Sequence, residues 1–268
     1  MENSGKTKIT GIGSALVDLL INENDAFLKS VGKEKGGMTL LEDGSEIERI
    51  LGKSGEKAEI VPGGAACNTI VGVGMLGGKA GFIGMRGEDE YGDSYEDQLK
   101  KCNVSCSFFL SKDPTGKVLS VITPDAQRSM FTFLGASTGL APQSITPDMF
   151  EDTAIAVVEG YLLFNRDLMK AVLRAAKEAG AKIALDLASF EVVEAARDIL
   201  DDLIKEYVDI LIANEDEAEA YTGLKDENAP LEKMAENAEY AVLKIGKRGS
   251  MISHKGTVTR VDPVIAED

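Results

Sequence analysis

Residues 182–223 read KIALDLASFEVVEAARDILDDLIKEYVDILIANEDEAEAYTG, and this stretch decides the fold. Two short apolar runs, 182–185 and 210–213, are separated by an amphipathic stretch, 192–206. A second amphipathic stretch, 215–222, stops at Gly223. Short β-branched and apolar runs read as buried strands, and the longer stretches read as helices. A glycine just past a helix is a common stop, because it accepts the left-handed conformation there. Strand–helix alternation implies parallel strands joined by right-handed crossovers, an α/β layered fold.

The same texture extends outward. A strand is expected at 240–245 on one side. On the other, a strand is expected at 154–158 and a helix at 167–179, with Leu168, Val172, Leu173 and Ala176 on one face. Nearer the N-terminus, strands are expected at 8–13 and 80–83, and helices at 65–76 and 91–101. The β-rich segments 116–123 and 128–134 flank Pro124-Asp125-Ala126-Gln127 and read as a hairpin. This hairpin has no helix partner in sequence, which predicts a small β lid.

Composition narrows the function. Among 268 residues, 29 Lys and Arg face 45 Asp and Glu, a net charge of −16. That balance argues against nucleic acid as a partner, since such binding rests on neutralising phosphates, and against anionic membrane surfaces. The single histidine, His254, makes a Ser-His-Asp triad or a multi-histidine metal site a poor fit. Three cysteines, Cys67, Cys102 and Cys106, with no C-x-x-C spacing, read as free thiols in a reducing, cytoplasmic setting. Cys102 and Cys106 have the spacing of one helix face. The longest uncharged run, 60–78, holds six glycines, a proline and Asn68, unlike a membrane span.

Four segments have the residue types of a ligand site. In Pro62-Gly63-Gly64-Ala65-Ala66-Cys67-Asn68, paired glycines leave main-chain amides open just where a helix starts. Asn68 adds a donor and an acceptor; close helix–sheet packing explains the glycines equally well. Asp18, inside the apolar run 15–21, could accept hydrogen bonds from two neighbouring hydroxyls, or simply begin a helix or turn. Asn214 and Glu217 follow a strand at the end where parallel sheets bind ligands, and they also suit a capping box. Gly246-Lys247-Arg248-Gly249 is first a turn, and its basic pair could offset phosphate charge. The Rossmann glycine fingerprint fails at Leu16 and the P-loop fails at Ile47, which disfavours an NAD-dependent oxidoreductase and a P-loop ATPase.

Taken in order, these segments resemble the ribokinase-like (PfkB) family of carbohydrate and nucleoside kinases. Thr132-Phe133-Leu134-Gly135-Ala136-Ser137 and Glu159-Gly160-Tyr161-Leu162 look most like its adenosine-kinase-like branch. The resemblance implies a Rossmann-like, mostly parallel sheet flanked by helices, one domain over 1–268. A small β lid would come from segments within about 14–62 and 108–137. It implies ATP and Mg²⁺ as cofactors and a primary hydroxyl of a sugar or nucleoside as acceptor. Asp18, Gly63, Gly64 and Asn68 would contact substrate, with Phe131 and Phe133 flanking it from the lid or serving the core. Asn214, Lys244, Gly246 and Gly249 would face ATP, and Glu217 would organise the metal; Lys244 stands where relatives often have Thr. A homodimer through lid strand edges is also expected.

One departure stands out. Relatives carry a Gly-Ala-Gly-Asp segment that supplies an anion hole and the aspartate base, and no such segment occurs in these 268 residues. The expectation is a chain that transfers no phosphate by itself, as a fragment, with the base beyond Asp268. The alternative is a non-catalytic sugar- or nucleoside-binding module.

Overall fold

The computed structural model describes residues 5–264. In chain order it begins with β1 (Lys8–Ile12), β2 (Leu16–Asn22), α1 (Asp25–Ser30), β3 (Met38–Leu40), α2 (Ser45–Leu51) and β4 (Glu59–Gly63). Next come α3 (Ala65–Met75), β5 (Ala80–Gly87), α4 (Glu90–Lys101), β6 (Val104–Ser111), β7 (Gly116–Ile122) and β8 (Arg128–Phe133). Then follow β9 (Thr153–Glu159), α5 (Arg166–Glu178), β10 (Lys182–Asp186), α6 (Phe190–Tyr207), β11 (Ile210–Asn214) and α7 (Glu215–Thr222). The last are α8 (Asn228–Ala235), β12 (Tyr240–Lys244), β13 (Ser250–His254) and β14 (Thr257–Val261). The chain forms two compact units, one from residues up to Ile12 and from Ala141 onward, the other from Gly13–Leu140. The closing residues 265–268, after which the Gly-Ala-Gly-Asp segment was expected, lie outside the described residues.

In the first unit the strands lie in the order β14-β13-β12-β11-β10-β9-β1. The pairs from β1 through β12 are parallel, and β13 and β14 turn antiparallel. The mostly parallel sheet is thus as the alternation implied, and each crossover helix shows why it forms. On α5, Leu168, Met169, Val172, Leu173, Ala175 and Ala176 are buried, and the Asn165 side chain caps the helix by accepting from the Leu168 N–H. On α6, Ser189 caps, and Val192, Val193, Ala196, Leu200, Leu203 and Ile204 are buried. Each such large aliphatic side chain stabilises the layer by about 1.5–3 kcal/mol. Where β1 meets β9, the buried hydroxyls of Thr10 and Thr153 hydrogen-bond at 2.7 Å. α8 was not read from the sequence, because Pro230 interrupts its pattern; the proline sits in the first turn, where a missing N–H costs little.

The second unit holds a parallel pair, β5 and β6, and a five-stranded sheet in the order β3-β8-β7-β2-β4. The expected hairpin is β7–β8, antiparallel from Lys117↔Phe133 to Ile122↔Arg128. Its turn is closed by Thr123 N–H to Gln127 C=O at 3.0 Å, with Ala126 at φ 61°. One segment differs from expectation. The apolar run 15–21, just past the first strand, is itself a strand, so Asp18 lies in the middle of β2 rather than opening a helix or turn. Cys102 and Cys106 share no helix face: Cys102 caps α4 and Cys106 belongs to β6. Among the described residues no helix is long and apolar enough to cross a membrane.

Candidate active site

Strand periodicity sets the environment of Asp18. Val17, Leu19 and Ile21 are each 1% exposed and share one face of β2; Asp18 points to the other. The register carries this division across the sheet. Asp18 pairs with Val61 on β4 and with Val118 on β7, and Val118 pairs with Thr132 on β8. These side chains share the Asp18 face. Burial pushes the Asp18 carboxyl up to about 6, with Arg128 pulling the other way. No described protein donor hydrogen-bonds this half-buried carboxylate, so both oxygens can accept from a ligand.

The glycines explain themselves against this carboxylate. Gly63, at the end of β4, lies so close to Asp18 that a Cβ there would overlap the carboxylate. Gly64 has φ 98° and ψ 136°, and a Cβ on it would strike the Ser14 carbonyl. Two independent constraints therefore require glycine at the start of α3. Asn68 lies one turn into that helix, its N–H donating to the Gly64 carbonyl at 2.9 Å and its side chain exposed. Tyr95, fully buried on α4, donates its hydroxyl to the Gly63 carbonyl at 2.9 Å. It fixes the turn and went unnoticed in the sequence, where nothing local links it to residue 63.

Phe131 and Phe133 do not join this group. Phe131 pairs with Leu119, which pairs with Leu19; Phe133 pairs with Lys117, which pairs with Val17. Both rings therefore lie on the face opposite Asp18. Phe131 is 1% exposed with the Lys33 ammonium 5.3 Å from its ring centroid, and the Phe133 ring packs on Gly44 at the start of α2. Lys117, on the same face, pairs with Glu48 of α2 at 2.7 Å. A two-residue period turns both phenylalanines to the α2 side, Phe131 buried and Phe133 half-buried, which the unrecognised strand β2 had hidden.

The second group belongs to the other unit, at the carboxyl ends of β10, β11 and β12. Asn214 and Glu217 form the capping box of α7. The Asn214 N–H donates to Glu217 Oε2 at 2.8 Å, Asn214 Nδ2 donates to Oε1 at 2.7 Å, and the Glu217 N–H donates to Asn214 Oδ1 at 2.9 Å. Glu217 is 2% exposed, and its burial pushes the carboxyl above the usual range against the pull of the Asn214 N–H and Lys244. Both oxygens are thus committed to Asn214. Lys244 ends β12 and donates to Asp186 Oδ2 at 2.8 Å. Asp186 had not been singled out, although it too ends a parallel strand, where ligands collect.

Gly246 and Gly249 bound a tight turn after β12, at φ 55° and 90°, closed by Ile245 N–H to Gly249 C=O at 3.0 Å. Arg248 is paired with Glu215 and Glu227, so it ties this turn to the first residue of α7 rather than standing ready for phosphate. Lys247 remains exposed. Among the described residues no cluster of three or more His, Cys, Asp or Glu could hold a metal ion. Glu217 alone, hydrogen-bonded and buried, does not make a resident metal site.

Relatives point the same way. The aminoimidazole riboside kinase of Salmonella typhimurium is 36% identical over 134 residues, covering 47% of this chain and 41% of that protein. The adenosine kinase of Saccharomyces cerevisiae is 27% identical over 207 residues, covering 75% of this chain and 58% of that protein. The chain thus spans about half the length of these curated relatives. The crystal structure of adenosine kinase from Sinorhizobium meliloti superposes with a TM-score of 0.87 at 29% identity, covering 98% of this chain and 82% of that one. A probable sugar kinase from Rhizobium etli gives 0.86 at 27% identity, covering 97% and 80%. The pattern described as pfkB family carbohydrate kinase matches residues 41–268, and with this match over most of its length the chain belongs to that family.

Proposed function

We propose that the protein serves an ATP-dependent kinase acting on a primary hydroxyl of a sugar or nucleoside. The observation that carries this reading is Asp18, a half-buried carboxylate without a described protein donor, set beside the glycine turn that opens α3. A carboxylate accepts two hydroxyl hydrogen bonds at once, and in a partly dehydrated site such charged acceptors bind more strongly than neutral ones. Asn68 would add a donor and an acceptor. On the nucleotide side, Lys244 and the turn from Gly246 to Gly249 would meet phosphates. The Asn214–Glu217 pair would orient the waters of the magnesium that ATP brings. Positioning and charge stabilisation carry most of phosphoryl transfer.

No general base is assigned. The 268 residues include no Gly-Ala-Gly-Asp segment, and by our reading this polypeptide alone binds but does not transfer phosphate. A non-catalytic sugar- or nucleoside-binding module is the second reading. The exposed edge strand β3 is the place where copies would pair.

Calorimetric titration with adenosine, ribose and fructose tests the site. At least one should bind, and Asp18→Ala should abolish that binding while sparing MgATP. Unchanged affinity in the variant would overturn the role of Asp18. Phosphate transfer in a coupled assay of the same polypeptide would overturn the inactivity.

A further inference from the structure

Lys244 is held in an unusual way. Asp186 pairs with Ile212 on β11, and Ile212 pairs with Val242 on β12. Lys244 is two residues beyond Val242, on the same face, so its side chain reaches back diagonally across β11 to meet Asp186. The ammonium thereby lies over the end of β11, next to the Asn214–Glu217 pair. It has three donors, and Asp186 takes one at 2.8 Å; among the described residues it makes no other hydrogen bond. Asp186 is itself fixed. Its Oδ1 accepts from the Ala188 N–H at 3.0 Å, and Ala188 is held at φ 67°, a conformation non-glycine residues seldom adopt. Backbone strain of this kind persists where surroundings enforce it, often beside functional groups. The pair is half-exposed, at 44% for Lys244 and 25% for Asp186, so a solute can reach it.

We propose that Asp186 is an internal competitor for the phosphate-binding ammonium of Lys244. Any phosphate anion that takes Lys244 shares the ammonium with Asp186, competing with that carboxylate for it and binding beside its charge. Asp186 therefore sets the affinity of the site below what Lys244 alone would give, which keeps a spent polyphosphate free to leave. This rests on the reading of the strand ends as the nucleotide side, but it concerns the anion and not the reaction.

Titration of the 268-residue protein with inorganic tripolyphosphate, and separately with MgATP, tests it. Lys244→Met should weaken tripolyphosphate binding about tenfold or more, the usual weight of a charge-assisted contact. Asp186→Asn should tighten it by about two- to fivefold, the weight of a half-exposed ion pair. The two effects should not add: in a Lys244→Met background Asp186→Asn should gain little, because no ammonium is left to release. Thermal melts establish that each variant is folded, and Lys244→Gln and Asp186→Ala stand in for any that is not. Weaker or unchanged binding in Asp186→Asn would overturn the proposal. So would an equal gain in both backgrounds, which would mean simple repulsion, or no tripolyphosphate binding by the parent protein. The kinase reading fails separately if this pattern holds while MgATP binds no better than tripolyphosphate.

Discussion

Asp18 shows at the scale of one residue how function is held against stability. Its folded pKa of about 6 lies above the ordinary 3.8, so between these values the native state holds a proton that the unfolded chain has lost. Stability then falls as pH rises through that window and levels off above it. At pH 7 the ionised carboxylate costs about 2 kcal/mol, discounted for its half-exposed edge. Asp18→Asn keeps the shape and removes the charge. We expect it to raise the melting temperature by several degrees at pH 7 and to change little at pH 3, read by calorimetric melts at both. Substrate affinity in the parent protein should decline below about pH 6, as the acceptor is protonated. Asp18 was legible in the sequence as a charge inside an apolar run. Its raised pKa was not, because burial depends on strands that pair with β2 from 40 to 100 residues away, near Val61 and Val118.

At the scale of elements, two junctions carry the site. Where β4 meets α3, Gly64 combines φ 98° with a carbonyl in the path of any Cβ. Gly64→Ala should cost about 2–3 kcal/mol and erase polyol binding, seen as a lower urea midpoint and a flat titration. Where β11 meets α7, Asn214→Ala removes the cap and leaves the buried Glu217 carboxylate with only the backbone N–H as donor. A loss of about 2 kcal/mol is expected in urea unfolding, above the typical cap because buried Glu217 Oε1 also loses the Nδ2 donor. The first junction was readable from its paired glycines, and the second from the spacing of Asn214 and Glu217. The strand that presents Asp18 was not. Residues 15–21 read only as an apolar run past the first strand, and it is their pairing with β4 and β7 that makes them a strand. Phe131 and Phe133 stay open between lid and core in the sequence for the same reason, since a strand's faces are known only once its neighbours and register are. Asp186 escaped notice for another reason: nothing near it in sequence marks it, and its partner, Lys244, is 58 residues away.

At the scale of the whole chain, the alternation from 154 to 245 fixed the mostly parallel sheet, because each strand and its crossover helix are consecutive and pack locally. The order of strands elsewhere was beyond reach of periodicity. β1 illustrates it: Thr10 meets Thr153, its hydroxyl partner, 143 residues later. Pulse-labelled hydrogen exchange during refolding should show β7 and β8 protected before β1, since a hairpin closes a short loop and β1–β9 a very long one. On the ribosome the asymmetry is sharper. The segment 13–140 can leave the exit tunnel whole and close on itself while β9, one of the two strands beside β1, has yet to be translated. The β1–β9 seam thus closes late, and in the interval the apolar residues on that edge need shelter from other nascent chains. The pace of elongation between codons 13 and 153, which no folded coordinate records, then becomes a determinant of yield.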